Sequence, residues 1–402
     1  MKKTQLGVMF GSRSCEHEVS IISAVQMMKH VDADTYDTIP VYISQEGIWY
    51  TGEPLKDIET YVPQFNVKIP GIIPVQPDVS ARSGALLSYE RKGLRKISSR
   101  SIAARLDCVI PIFHGLHGED GSMQGLLELM DLPYASTGIA GSAIAMDKIL
   151  MKQCFRSFGF PVLRDVALVR SDWRRDAVEV IKAVEQKLGY PVFVKPANLG
   201  SSIGVSRADD FQSLSDALEL AFCYDRRVMV EEAVNRPIEV NCAVLGYDRD
   251  VRVSVVEMPI TGGSLLGFSD KYLNAGGSKG MASLSRVVPA PIGEAMTARV
   301  QELSLDIFRA LDCKGVVRVD FMIDSMTDNL TITEINAIPG SLSFYLWAKS
   351  EPRLSYKELI DLMVKSAFDA YAEKNENDIA HRSDILKSAK LGGGKGHKGA
   401  KG

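Results

Sequence analysis

Paired cysteines are missing from this chain. Its six cysteines, at positions 15, 108, 154, 223, 242 and 313, are scattered singly, with no C-x-x-C pair. That spacing argues against structural zinc and against a disulfide framework, and fits a reducing cytosol. Long apolar runs are missing too: nothing approaches the roughly 20 residues a membrane-spanning helix needs. The N-terminal M-K-K-T-Q-L-G-V-M-F-G-S opens with two lysines, but its apolar run is too short for a secretory signal. There is no strong charge excess either. A net charge of -3 gives no reason to expect nucleic acid or a membrane as partner. These absences predict a cytoplasmic protein. What remains is an ordinary globular composition, 46% apolar and 24% charged over 402 residues, long enough for roughly two or three domains with substantial cores.

The first part alternates short apolar runs with helical patterns. Leu6–Phe10 reads as a strand ending in Gly11-Ser12, and Ile21, Val25 and Met28 recur at helical spacing on one face. Residues 38–43 and 108–113 read as further buried strands, and Met123, Leu126, Leu127 and Met130 mark another amphipathic helix. Such alternation predicts an open, mostly parallel sheet with helices on its faces. Residues 51–105 carry only weak strand signals. From Asp147 to about Val234 the pattern becomes a smaller α+β unit, with a lysine-bearing helix, the strand Y-P-V-F-V-K, a Gly-Ser loop, a helix near 212–223 and the strand V-M-V-E-E. A larger unit follows, with strands expected at 238–245, 251–257, 315–323 and 331–336 and helices near 293–312 and 355–373. The expected divisions are 1–146, 147–234 and 235–375. Residues 376–402, ending in Gly/Lys low complexity, cannot bury a core and are expected to form a disordered basic tail.

Four constellations carry chemistry. In V-K-P-A-N-L-G-S-S-I-G-V, residues 194–205, a strand delivers Lys195 to a loop containing Gly200, Ser201, Ser202 and Gly204. Small residues let backbone N–H groups approach phosphate oxygens, and a lysine neutralises them. A glycine-rich hairpin with a surface lysine reads the same way, and the P-loop signature is absent. In V-V-R-V-D-F-M, Arg318 and Asp320 share a strand face, as do Glu334 and Asn336 in T-I-T-E-I-N-A. If the two strands are neighbours, Asp320, Glu334 and Asn336 converge as the hard oxygen ligands that Mg2+ prefers. Either strand alone reads as the polar face of a half-covered sheet. Third, H-G-L-H-G-E-D-G-S-M-Q-G follows a buried strand. His114, Glu119 and Asp120 there either bind a substrate or build the turn. Glu16, where a strand gives way to a helix, by itself reads as helix-dipole complementarity. The polar, glycine-rich stretch 266–286, with Lys271-Tyr272, reads as a lid over nucleotide.

Taken in order, G-S-R-S-C-E-H-E-V-S, H-G-x-x-G-E-D-G-x-x-Q-G-x-L-E, T-G-x-x-x-S-A-x-A-M-D-K, V-K-P-x-x-x-G-S-S-x-G-V, the lid K-Y, R-x-D-F and E-I-N-x-x-P-G resemble the D-alanine–D-alanine ligases of the ATP-grasp superfamily, from about residue 5 to 373. The resemblance implies an α/β Rossmann-like (pre-ATP-grasp) N-terminal domain followed by a two-part α+β ATP-grasp fold. It also implies ATP as substrate, two Mg2+ ions (with Mn2+ as a substitute) and a homodimer. Lys148 and Lys195 would hold the α- and β-phosphates beside Ser202, Lys271 the γ-phosphate, and Glu232 and Glu239 the adenine edge and ribose. Asp320, Glu334 and Asn336 would bind the metals. Glu16 would receive the first D-alanine's ammonium with His114 nearby. Ser201 and Tyr272 would bond to each other and to Glu16, and Arg318 with the Gly340 N–H would meet the oxyanion.

The same resemblance leaves the second substrate open. Such ligases usually place Ser-Leu five and six residues beyond that glycine, the serine gripping the second substrate's carboxylate; here the pair is Tyr345-Leu346. The Tyr345 hydroxyl or that of Ser343 takes over the grip, or the pocket is differently selective. Intact Lys271-Tyr272 favours an amine over D-lactate as nucleophile, with D-serine as the alternative to D-alanine. A nucleotide-binding regulator without catalysis is disfavoured, because every phosphate- and metal-binding position survives.

Overall fold

The computed structural model describes residues 2–92, 97–260 and 285–378. The expected lid residues Lys271 and Tyr272 and most of the expected tail therefore lie outside the described residues.

A seven-stranded sheet comes first in the chain. Strand Thr4–Gly11 runs parallel to Tyr36–Ile43 on one side and to Cys108–Ile112 on the other. Leu6, Val8, Met9 and Phe10 are all buried, as expected for a strand covered on both faces. Helix His17–Met28 lies on this part of the sheet. The expectation of a mostly parallel sheet is corrected beyond Ile43. Trp49–Thr51, Ile73–Pro77, Ala85–Lys92 and Ile97–Arg105 extend the sheet antiparallel, one after another. The reason is connectivity, since parallel neighbours need a crossover of a dozen or more residues and these strands mostly return through shorter links.

The central unit is a four-stranded antiparallel sheet in the order Ser206–Ala208, Val192–Pro196, Arg227–Glu232, Asp165–Val169. Helices Ala177–Leu188 and Phe211–Tyr224 supply its core through Ile181, Val184, Leu214, Leu218 and Phe222, which meet Val192, Val194, Val228 and Val230. Each large apolar side chain buried this way contributes about 1.5–3 kcal/mol relative to exposure. The third sheet runs Asp250–Val253, Pro237–Tyr247, Gly315–Asp324, Leu330–Asn336, again antiparallel. Helix Glu294–Ala310 packs on it through Val300, Leu303, Ile307 and Phe308. The strand expected over 251–257 stops at Val253; past it, Glu257 makes only an isolated bridge with Asn241. Met258–Pro259 then pairs with Arg286–Val287 in a two-stranded sheet.

Candidate active site

The register of two strands settles the first question left by the sequence. Gly315–Asp324 and Leu330–Asn336 are antiparallel neighbours, with Asp320 opposite Glu334 and Arg318 opposite Asn336. All four side chains therefore share one face. Arg318 donates to both carboxylate oxygens of Asp320, at 2.6 and 2.7 Å, and the Asn336 amide donates to Asp320 at 3.1 Å. Burial acts against the Arg318 charge, but Asp320 outweighs it and holds the guanidinium pKa well above its usual value.

Arg318, Asp320 and Glu334 form one wall of a cleft lined also by Lys148, Lys195, Ser202, Glu239, Glu257 and Arg286. Lys148 opens the helix Lys148–Ser157, whose N-terminus is capped by Asp147 accepting from the N–H groups of Ile149 and Leu150, both at 3.0 Å. Such a cap contributes about 1 kcal/mol and fixes where the helix begins. The Lys148 ammonium donates to the Leu199 carbonyl at 2.5 Å and lies 4.0 Å from Glu334. Burial pulls its pKa down, partly offset by Glu334. Lys195 sits on Val192–Pro196 and pairs with Glu231. Burial lowers the Lys195 pKa, yet the neighbouring Glu231 charge more than compensates and leaves it raised.

Glu231 is the residue that sequence reasoning passed over in favour of its neighbour. Val228 and Val230 face the core of the central sheet, so Met229 and Glu231 face the cleft side. Glu231 is 2% exposed and also accepts from Lys152 at 2.5 Å. Glu232 does not line the cleft; it accepts from the Arg164 side chain at 2.7 Å and from the Arg164 N–H at 2.9 Å. Strict alternation along V-M-V-E-E could have separated the two.

Glu16 makes no side-chain cap to the helix it precedes. Its carboxylate instead accepts a hydrogen bond from Ser201, so the nucleotide-loop candidate and the donor-substrate candidate touch. Ser201 and Ser202 have φ of +49° and +58°, a conformation that L-residues adopt at a cost and that clusters at functional turns. Gly200 permits the approach, since a Cβ there would lie 2.7 Å from the Glu16 carboxylate.

Within H-G-L-H-G-E-D-G the roles divide. Asp120 builds the turn, accepting from the N–H groups of His117 at 2.9 Å and Ser122 at 3.0 Å. Glu119 instead joins two loops, accepting from the Gly115 N–H at 2.7 Å and the Ile338 N–H at 3.1 Å. Burial and the charges of Glu16 and Glu334 push its pKa up to about 8. His114 is buried, with Nε2 3.0 Å from the Ser23 hydroxyl.

Burial, with Arg318 nearby, lowers the His114 pKa to about 4, so the imidazole is neutral at pH 7. Unfolded, it takes its proton near pH 6.5. The stability this neutral site provides is therefore complete above pH 6.5 and lost as pH falls towards 4. Urea unfolding should show about 2 kcal/mol less stability from this residue at pH 5 than at pH 7. In His114→Gln that increment should vanish; an unchanged pH dependence in the variant would refute the assignment.

The turn after the metal-candidate strand holds the remaining expected residues. Ser341, Leu342 and Ser343 are all left-handed, with φ of +50°, +53° and +49°. The side chain of Leu346 is fully buried in the core with Leu342 and Trp347, and Ser343 is equally buried. Tyr345 lies partly buried and donates to Glu257 at 3.0 Å. Neither Glu257 nor Arg286 had stood out in the sequence.

Two carboxylates and an amide on one sheet face suit a hard divalent cation. Among the described residues no group of three or more His, Cys, Asp or Glu could hold a metal by itself. Asp320, Glu334 and Asn336 offer oxygen atoms of the kind such a cation takes, with Lys148 and Lys195 lining the same cleft.

Comparisons with known proteins agree with this geometry. Residues 5–137 match the D-ala D-ala ligase N-terminus family and residues 154–365 the D-ala D-ala ligase C-terminus family. The D-alanine–D-alanine ligase of Natranaerobius thermophilus is 34% identical over 382 residues, 94% of this chain and 98% of its own. That of Thermosipho africanus is 36% identical over 369 residues, 92% and 94%. Among solved structures, the D-alanine-D-alanine ligase from Coxiella burnetii has a TM-score of 0.75 at 27% identity, covering 97% of this chain and 100% of its own. VanG D-Ala:D-Ser ligase from Enterococcus faecalis has a TM-score of 0.75 at 29% identity, covering 91% and 100%. With motifs, fold and relatives in agreement along its length, the chain belongs to the D-alanine–D-alanine ligase family and is an ATP-dependent ligase.

Proposed function

We propose that the cleft joins two D-alanines into D-alanyl-D-alanine, with ATP converted to ADP and phosphate, for peptidoglycan precursor synthesis in the cytoplasm. The observation that carries this reading is the convergence of Lys148, Lys195, Arg318, Asp320 and Glu334 on one cleft. A carboxylate does not react with an amine until its oxygen becomes a leaving group, so the donor is first phosphorylated by ATP. Lys148 and Lys195 bind the phosphates, Ser202 and its loop approach them, and Glu239 takes the ribose. Glu16 holds the donor's ammonium beside Ser201 and the neutral His114. This orients the donor carboxylate towards the γ-phosphorus. The acceptor's amine, deprotonated, attacks the acyl carbon, Arg318 and the Gly340 N–H stabilise the oxyanion, and phosphate leaves.

Asp320, Glu334 and Asn336 would hold Mg2+, which when bound offsets phosphate charge that would repel the donor carboxylate. Lys271 and Tyr272, outside the described residues, keep their expected roles at the γ-phosphate and over the donor. A homodimer is the proposed assembly, and among the described residues no helix is long and apolar enough to cross a membrane.

The test is phosphate release from MgATP across a panel of D-amino and D-hydroxy acids. D-Alanine should trigger release, and Glu334→Ala should reduce it by at least about 100-fold. No release with D-alanine above background would reject the reading. A D-serine acceptor is the second reading, favoured by the likeness to VanG and by Tyr345. Product analysis with both amino acids present decides between them.

A further inference from the structure

Beside Arg318 the cleft wall is completed by Glu257 and Arg286, and Tyr345, which is not part of the lining, contacts both. Glu257 is 1% exposed and receives three hydrogen bonds, from Arg286 at 2.8 Å, the Tyr345 hydroxyl at 3.0 Å and the Asn241 amide at 3.1 Å. A phenol has one proton, and an ionised carboxylate only accepts. The Tyr345 proton is thus committed to Glu257 and cannot also be given to a substrate carboxylate. Ser343 is buried in the turn and does not line the cleft.

Arg286 offers different chemistry. Its guanidinium lies 3.8 Å above the Tyr345 ring, within the range of a cation–π contact. Glu257 fixes it from one side, and strand pairing with Pro259 fixes its backbone. The side chain is largely shielded from solvent yet lines the cleft that holds Arg318. A planar guanidinium presents five donors in a fork suited to a carboxylate.

We propose that Arg286 is the ligand of the acceptor amino acid's carboxylate, with Tyr345 and Glu257 as its mount. This rests on the ligase reading and names the group that selects an acceptor with a free carboxylate. The competing account is that Arg286 serves only to neutralise a buried Glu257, which any buried carboxylate requires.

D-Alaninamide separates the two accounts, because it lacks a carboxylate and can act only as acceptor. With D-alanine as donor, D-alanyl-D-alanine and D-alanyl-D-alaninamide form in one tube, and their ratio is the readout. The wild type should favour D-alanine. In Arg286→Gln that preference should fall by about 10- to 100-fold, the loss expected for a charge-assisted hydrogen bond, whatever the variant's overall rate. Arg286→Lys keeps the charge that Glu257 needs but not the fork, so it tests the proposal even where the glutamine variant fails to fold. Its preference should fall by about tenfold. Tyr345→Phe keeps the ring and loses the proton; whatever its rate, the product ratio should stay within threefold of wild type.

An unchanged ratio in both Arg286 variants, or a ratio lost in Tyr345→Phe, overturns the proposal. Failure of the wild-type protein to form either product, or to release phosphate with D-alanine, would instead overturn the ligase reading beneath it.

Discussion

Arg318→Ala is expected to lower D-alanyl-D-alanine formation by about 100- to 1000-fold, the loss typical of removing one oxyanion donor. Two effects add. The tetrahedral oxyanion loses the charged partner proposed for it, and Asp320 loses the guanidinium that donates to both its oxygens. Arg318→Lys divides them. An ammonium restores a positive charge near Asp320 but cannot reproduce the paired N–H fork, so stability should recover while the rate stays at least about tenfold below wild type. The measurement is kcat for the dipeptide alongside urea unfolding of both variants. A lysine variant with wild-type kcat would remove Arg318 from the oxyanion site and leave it as the partner of Asp320.

The largest expected effect on stability lies at Glu231. Its carboxylate is buried between Lys152, itself 0% exposed, and Lys195. Glu231→Gln removes the nearest counter-charge of two interior ammonium groups, leaving Lys152 with Asp165 at 4.0 Å, and breaking a buried pair in this way costs about 3–5 kcal/mol. That is a large share of the 5–15 kcal/mol typical of a folded domain. Burial alone would raise the Glu231 pKa, but Lys152 and Lys195 outweigh it and hold the group at about 2. Because the folded pKa is depressed, the stabilisation is fully present above the ordinary value near 4.5 and is lost as pH falls towards 2. Chemical denaturation at pH 7 and pH 4 should show the variant's deficit shrinking at the lower pH. A deficit below about 1 kcal/mol at pH 7 would mean that the cluster does not hold the central unit together.

The parts of the site legible in the sequence are those where local spacing dictates direction. Arg318 with Asp320, and Glu334 with Asn336, are two apart on strands, so a shared face follows from the pleat alone. The structure supplied what spacing cannot, the register placing Asp320 opposite Glu334. Lys195 was readable as the cation a strand delivers to a glycine-rich loop, whereas Lys148 was named only through the family resemblance. Glu257 and Arg286 were not readable, because they lie on either side of a long segment and meet only through a two-stranded pairing. Glu119 was visible as a residue, but one of its two backbone donors, the Ile338 N–H, lies 219 positions away in the chain. In the fold, residues 51–105 resisted reading because their strands are partly solvent-facing: Ile73, Tyr89 and Ile102 are exposed, which blurs the apolar pattern that marks a buried strand.

The hydrogen bond from Ser201 to Glu16 has a thermodynamic meaning. With Glu16 as the donor-amino-acid site and the 199–204 loop as the phosphate cradle, the two ligands act on groups in direct contact. Occupancy of one must then change the free energy of filling the other, and by linkage the factor is the same in both directions. A donor that leaves the Ser201 contact intact tightens nucleotide binding. One that competes for the same carboxylate oxygen loosens it, and the two cases give opposite signs in a titration with a non-hydrolysable ATP analogue. On these proposed roles the apparent affinity for ATP becomes a property of the pair of substrates, with the Ser201 hydroxyl as the point where their sites meet.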